Sequence, residues 1–278
     1  MSTLVQISDP HFGTEQPAVV AALFALVSHV KPVAAVLSGD ITQRARRAQF
    51  AAAKRFIDQL GVPHWLAIPG NHDIPLFNVV ARAFAPYGGF QRAFGTVLEP
   101  HLTCAGFQLI GVNTTRPSRH KDGEISKEQV ERVARELRPA PADRVRIVVT
   151  HQPVHVLRSK DAHNRVHGYH EAVMQWAAAG ADIIMGGHIH LPYVAALRDH
   201  FPALPRRCWI VQAGTAVSHR IRAKYPNSVN LVHYTPGSDQ CRVERWDYEA
   251  ASTSFRSVEA WELDLDRTES RPPSLRSA

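Results

Sequence analysis

Cysteine is scarce: Cys104, Cys208 and Cys241 are all there is in 278 residues, odd in number and far apart. Neither a disulfide framework nor a thiolate metal site is expected from them. No apolar run is long enough to cross a bilayer, so no membrane role is expected. The opening MSTLVQISD has no basic n-region and no small-residue cleavage site. No signal or transit peptide is expected, and the reading is of a cytoplasmic protein. Repeats and linker-like stretches are also missing, which argues for one domain over residues 1–266. The polar end from Arg267, RTESRPPSLRSA, is expected to be a disordered tail over 267–278. Long basic arms are absent too. The net charge of +7 favours anionic partners, but the arginines are dispersed, with Arg44, Arg46 and Arg47 the nearest thing to a cluster.

What is present in excess is histidine, 16 residues of it, the commonest metal ligand and a frequent acid or base. Short β-rich runs alternate with helical patterns along the first two thirds of the chain. Leu4–Ser8, Val33–Leu37, His64–Ile68, Phe107–Val112, Val145–Val149 and Asp182–Met185 read as strands. Helices are expected over Pro17–Val30, Ala48–Leu60, from Ser126 and over His170–Ala179, with Ser126 and Gln129 at capping-box spacing. This rhythm implies an α/β layered fold with helices outside. Beyond residue 190 the runs Trp209–Val211, Val229–Tyr234, Cys241–Tyr248 and Phe255–Leu263 follow without helices, and a second, largely antiparallel sheet is expected there.

Five strand ends carry one kind of chemistry. They read Ser8-Asp9-Pro10-His11, Ser38-Gly39-Asp40, Gly70-Asn71-His72-Asp73, Thr150-His151 and Gly186-Gly187-His188-Ile189-His190. The carboxyl ends of strands are where open α/β sheets place ligands. Taken alone each has a bland explanation: a capping turn, a common Gly-Asp turn, a buried histidine. A turn accounts for Gly70 and Asn71 but has no need of His72, and in His188 and His190 the i,i+2 spacing puts both on one face of an extended segment. All five together point to a metal site, and mixed imidazole and carboxylate donors suit Mn, Fe or Zn better than Ca.

In this order the motifs D-x-H, G-D, G-N-H-D, H and G-H-x-H resemble the calcineurin-like metallophosphoesterase superfamily, over residues 4–190. The resemblance implies a two-sheet β-sandwich core flanked by helices, a four-layer α/β/β/α fold, with a binuclear metal centre. It implies that Asp9, His11, Asp40 and His190 bind one ion and that Asp40, Asn71, His151 and His188 bind the other, Asp40 bridging. The ions would be two per chain, Mn²⁺, Fe²⁺/Fe³⁺ or Zn²⁺, and a metal-bound hydroxide would attack the phosphorus. His72 would serve as general acid or stabilise phosphoryl charge, while Asp73 is expected to cap local structure. Where protein phosphatases of this superfamily carry an orienting aspartate, this chain has Gln43, which disfavours that branch and leaves the partner of His72 open.

The layout is most similar to bacterial cyclic-nucleotide phosphodiesterases, implying a phosphate-ester small molecule, a 3′,5′-cyclic nucleotide among the candidates. A nuclease or a phosphomonoesterase is the alternative, although there is no stacking motif, long basic arm or capping domain to hold nucleic acid. A non-catalytic protein-binding scaffold would be expected to lose ligands, and none is lost here. Arg44, His155, His219 and Arg220 are candidate substrate contacts. Phe84, Tyr87 and Phe90, around Gly88-Gly89, read as core more readily than as a wall for a base.

Overall fold

The computed structural model describes residues 1–139, 141 and 143–267. The chain begins β1 (Ser2–Ile7), α1 (Pro17–Val30), β2 (Ala34–Ser38), α2 (Arg47–Leu60) and β3 (His64–Ile68). Two short helices follow, α3 (Val79–Phe84) and α4 (Gly88–Phe94), then β4 (His101–Cys104), β5 (Phe107–Gly111), α5 (Lys127–Leu137) and β6 (Val145–Val149). The remainder runs α6 (Tyr169–Ala179), β7 (Ile183–Gly186), β8 (Tyr193–Ala196), β9 (Trp209–Gln212), β10 (Ser228–Tyr234), β11 (Gln240–Glu249) and β12 (Ser254–Asp264).

Side-chain alternation sorts these strands into layers. Leu4, Val36, Leu66 and Ile68 share one buried cluster with Leu109, Ile147, Val149 and Met185, which is the seam between two sheets. Their neighbours along the chain, Val5, Ile7, Leu37 and Ala67, turn the other way onto α1 and α2. Ile110, Val148 and Ile184 likewise turn onto α5 and α6. Strands buried on both faces must be apolar at nearly every position, as β2 and β6 are. The result is the expected helix, sheet, sheet, helix sandwich.

One expectation is corrected. The strands after residue 190 do not make a sheet of their own. β10, β11 and β12 extend the first sheet, order β12-β11-β10-β1-β2-β3, while β9 joins the second, order β4-β5-β6-β7-β9-β8, parallel to β7. The alternating pattern shows that a strand is half-buried, not which sheet buries it. Likewise β4, β8 and the helices α3 and α4 had no place in the sequence reading. The capping box at α5 forms as expected, with Ser126 N–H donating to Gln129 Oε1 at 2.8 Å.

Residues 268–278, most of the expected tail, lie outside the described residues. Arg267, the first residue assigned to it, is held: its guanidinium donates to buried Asp182 at 3.1 Å and to the Arg144 carbonyl at 3.0 Å. No helix among the described residues is long and apolar enough to cross a membrane.

Candidate metal centre

The carboxyl ends of β1, β2 and β3 in one sheet meet those of β6 and β7 in the other, and the chemistry-bearing turns gather where the two sheets meet. Backbone hydrogen bonds lock the turns together. Asp9 N–H donates to Gly39 O at 3.1 Å, His11 N–H to Asp40 O at 3.1 Å, and Gly187 N–H to His151 O at 2.9 Å. Five of these residues sit at positive φ: Asp9 (49°), His11 (44°), Asp40 (46°), His188 (69°) and His190 (51°). A non-glycine residue rarely adopts that conformation and holds it only where the surroundings over-determine it, which is where functional strain collects. The glycines make the crowding possible. A Cβ on Gly187 would sit 2.5 Å from Asp9 Oδ2, and one on Gly70 would sit 2.7 Å from the Asp40 Cα.

Three overlapping groups of donors face the interior of the cluster: Asp9 with His11 and His190, Asp40 with His151 and His188, and His11 with Asp40 and His72, each with its ligand atoms within 4.8 Å of one another. Asp40 links them: its Oδ1 is 3.3 Å from His151 Nε2 and its Oδ2 is 3.8 Å from His11 Nε2. Asn71 Oδ1 lies 3.3 Å from the same His151 nitrogen. Asp9, His11 and His151 are wholly buried and Asp40 is 2% exposed.

The tautomers follow from what each second nitrogen does. His151 Nδ1 donates to Ser38 O at 2.9 Å and His190 Nδ1 to Arg220 O at 2.6 Å, so both turn Nε2 inward. There His151 Nε2 faces a carboxylate oxygen and an amide oxygen, and His190 Nε2 faces His11 Nε2 at 3.1 Å. Electron-rich atoms this close need positive charge between them, a proton or a bound cation. The titration preferences agree. Burial opposes a proton on His151, yet Asp40 and Asp9 raise its pKa to about 9; His190 is raised too, against burial, by Asp9. Burial would push Asp9 up, but His190 and His151 outweigh it and hold the carboxyl at about 2. Asp40 is likewise held well below the usual range, with His151 and His72 overcoming burial. Burial keeps His11 and His188 neutral, down to about 3, with lone pairs to offer. His188 Nδ1 and His11 Nδ1 are buried with no protein hydrogen-bond partner, which for His188 leaves a ligand atom free. The donor set therefore fits a pair of metal ions.

His72 sits at the rim. Its Nδ1 donates to the main-chain carbonyl of Gln43 at 2.9 Å, which turns Nε2 toward Asp40 Oδ2, 4.0 Å away. The orienting partner left open by the sequence is thus a backbone oxygen. The Gln43 side chain holds Arg220 instead, accepting from Nη1 at 2.8 Å, and that nitrogen lies 3.4 Å from His72 Nε2. Asp73 is buried and caps the turn after β2, accepting from Ile41 N–H, Thr42 N–H and Gly70 N–H.

A cleft of about 710 Å³ opens above the cluster. Arg220 and His163 line it, as do Lys121, Asp161 and Arg222, which the motifs gave no reason to select. Asp161 and Arg222 are tied to each other at 2.7 Å, and Arg222 also donates to Ile189 O, between two ligand histidines. Two candidate contacts lie elsewhere. His155 stacks on His200, ring centroids 3.8 Å apart, beside a separate cavity lined by Tyr169 and Phe201. His219 is exposed and is not among the residues lining the cleft. Arg44 lines a small groove next to His72 and stacks over Phe77 at 5.4 Å. Of the three aromatics near Gly88-Gly89, Phe90 is core, Tyr87 bonds to Thr115, and Phe84 is 86% exposed.

The chain belongs to the calcineurin-like phosphoesterase family, whose model matches residues 2–192, a span that includes every donor described above. A probable cyclic nucleotide phosphodiesterase from Synechococcus is 26% identical over 140 residues. That stretch is 46% of this chain and 50% of the relative, so the match spans about half of the curated protein's length. Among solved structures, a purple acid phosphatase from yellow lupin superposes on 100% of this chain and 57% of its own, with a TM-score of 0.69 at 11% identity. A dimetal phosphatase from Danio rerio superposes over 95% of this chain and 99% of its own, with a TM-score of 0.64 at 13% identity. At these identities the structural likenesses speak for the fold alone.

Proposed function

We propose that this chain is a metal-dependent phosphoesterase that hydrolyses phosphodiesters, with 3′,5′-cyclic nucleotides the first substrates to test. The observation that carries it is the convergence of two donor groups on Asp40, whose two oxygens face different imidazoles. Asp9, His11, Asp40 and His190 would hold one ion, and Asp40, Asn71, His151 and His188 the other. Two such ions would supply a water acidified into the neutral range and draw charge from the phosphoryl oxygens.

The chain's own residues do the rest. With Nδ1 committed to Gln43 O, His72 is free to deliver a proton from Nε2 to the leaving oxygen. Arg220, fixed by Gln43, places a permanent positive charge beside His72, where a phosphoryl oxygen would pair with it. Lys121 adds a second positive charge to the wall, while Arg222 is paired with Asp161. The cleft leaves room beyond one phosphoryl group for a second ester substituent. The cyclic-nucleotide choice draws on the Synechococcus relative alone, through a partial match.

The test is to strip the protein, reload it with Mn²⁺, and assay bis(p-nitrophenyl) phosphate, p-nitrophenyl phosphate and cyclic AMP. Diester turnover that chelation abolishes is the expected result. Hydrolysis of cyclic AMP would fix the substrate class, and turnover of the monoester alone would refute the diesterase reading.

A further inference from the structure

Beside His72 the cleft continues into a narrow groove lined by Arg44, Ile74, Leu76, Arg82 and His120, none of them acidic. The groove leads to a surface that leaves large apolar side chains in water. Phe77 is 78% exposed, Val79 72%, Val80 70% and Phe84 86%, and α3 buries none of its residues. Scattered exposed apolar residues need no explanation, but a contiguous group beside a site does. The group is held in place: Arg82 donates to Pro75 O at 3.2 Å and to Arg119 O at 3.0 Å, which pins α3 against the 116–122 loop.

The segments that supply this patch and the α2 side of the groove carry charge of one sign. Neither 41–57 nor 74–98 contains a single Asp or Glu, while Arg44, Arg46, Arg47, Arg82 and Arg92 fall within them. Arg44 joins the two features, with its guanidinium over the Phe77 ring while it lines the groove. Apolar surface beside a groove that carries Arg44 and Arg82 and no acid matches a ligand that is anionic at one end and apolar at the other.

We infer that the enzyme accepts a second substrate class, amphiphilic phosphodiesters whose apolar ester group lies along this groove onto Phe77 and α3. The inference rests on the phosphodiesterase reading. In the reaction, water adds to phosphorus and the bond from phosphorus to the apolar ester oxygen breaks. His72 gives its proton to that oxygen and regains one from the attacking water, and the products are a phosphomonoester and an apolar alcohol.

Two symmetric diesters of closely matched leaving-group acidity test this: bis(4-methylphenyl) and bis(4-hexylphenyl) phosphate, kept below micelle-forming concentrations. The readout is the ratio of their kcat/KM values within one protein, Mn²⁺-loaded, for the wild type and for Phe77→Ser/Phe84→Ser. Both phenylalanines are exposed, so the substitutions leave the core intact. We expect the hexyl diester to be favoured roughly tenfold, well below the ~4-fold per methylene that full burial would give. The double variant should bring the ratio close to one. A wild-type ratio near one, or an unchanged ratio in the variant, overturns the inference while leaving diester hydrolysis intact. A variant that turns a dimer into a monomer in sedimentation, with the ratio unchanged, would assign the patch to a second copy of the chain and likewise overturn it. Failure to cleave either diester would remove the phosphodiesterase reading, and this one with it.

Discussion

The floor and the walls of the cleft are built in opposite ways. The floor comes from the ends of five strands, is almost fully buried, and holds five donors at positive φ under a dense set of backbone bonds. The walls come from segments around 74–84, 116–123, 158–165 and 218–225, with exposed side chains and few regular elements. A rigid floor fixes where charge is stabilised, and pre-organised charge is the larger part of phosphoryl-transfer catalysis. Irregular walls are free to differ without disturbing it, so they select what is bound. Arg220 belongs to both: its main-chain oxygen orients His190 in the floor and its side chain forms wall.

Substitutions at the floor should cost chemistry, and substitutions at the walls should cost selectivity. The largest loss is expected from Asp40→Ala, which removes the carboxylate whose two oxygens face both His11 and His151. Diesterase kcat/KM should fall by more than the ~10²–10⁴-fold typical of a lost acid or base, together with bound metal. His72→Ala should stay within that range, lower kcat, and keep its metal content, because His72 holds Asp40 through its main-chain N–H, which alanine retains. Full metal content in both variants with equal rate losses would erase the distinction between the two roles.

Next comes packing. Gly187→Ala would drive a methyl group into Ser8 and Asp9, which we expect to cost about 1–3 kcal/mol of stability. Metal affinity should fall with it, read by thermal melts with and without Mn²⁺. An alanine variant that melts and binds Mn²⁺ like the wild type would show that the floor is less crowded than described.

Arg220→Met divides floor from wall within one residue. Its carbonyl still holds His190, so metal content should persist, while loss of the guanidinium should raise KM for the diester about tenfold, as losing one charge-assisted hydrogen bond does. Loss of metal instead would mean that the side chain supports the floor.

The smallest effect is at His155, outside the cleft. Burial, with His200 and Arg165 nearby, lowers its pKa to about 4 from an ordinary value of 6.5. The unfolded chain therefore takes up this proton first. Stability from this group is complete above 6.5 and is lost as the pH falls toward about 4. His155→Gln should flatten the melting temperature over that window and leave diesterase kinetics alone.

The same contrast explains what the sequence revealed. Asp9, His11, Asp40, His151, His188 and His190 could be read because each follows an apolar strand that has no use for it. Lys121, Asp161 and Arg222 could not, since they stand in irregular segments where no periodicity predicts what the fold brings together. The partner of His72 escaped for another reason: it is the main chain of Gln43, and motifs report side chains. The paired sheets were legible from the strand and helix rhythm. The placement of β9 apart from β10–β12 was not, because alternation carries no information about which sheet a strand joins.

The central claim is that the strand ends hold two metal ions that Asp40 joins. The most direct test is the metal content of desalted, Mn²⁺-loaded protein by elemental mass spectrometry, measured on the samples used for diester turnover. The account predicts two ions per chain in the wild type, and fewer than two with turnover lost in Asp40→Ala. Wild-type protein that binds one ion or none, or an Asp40→Ala variant that keeps both ions and full turnover, would contradict it.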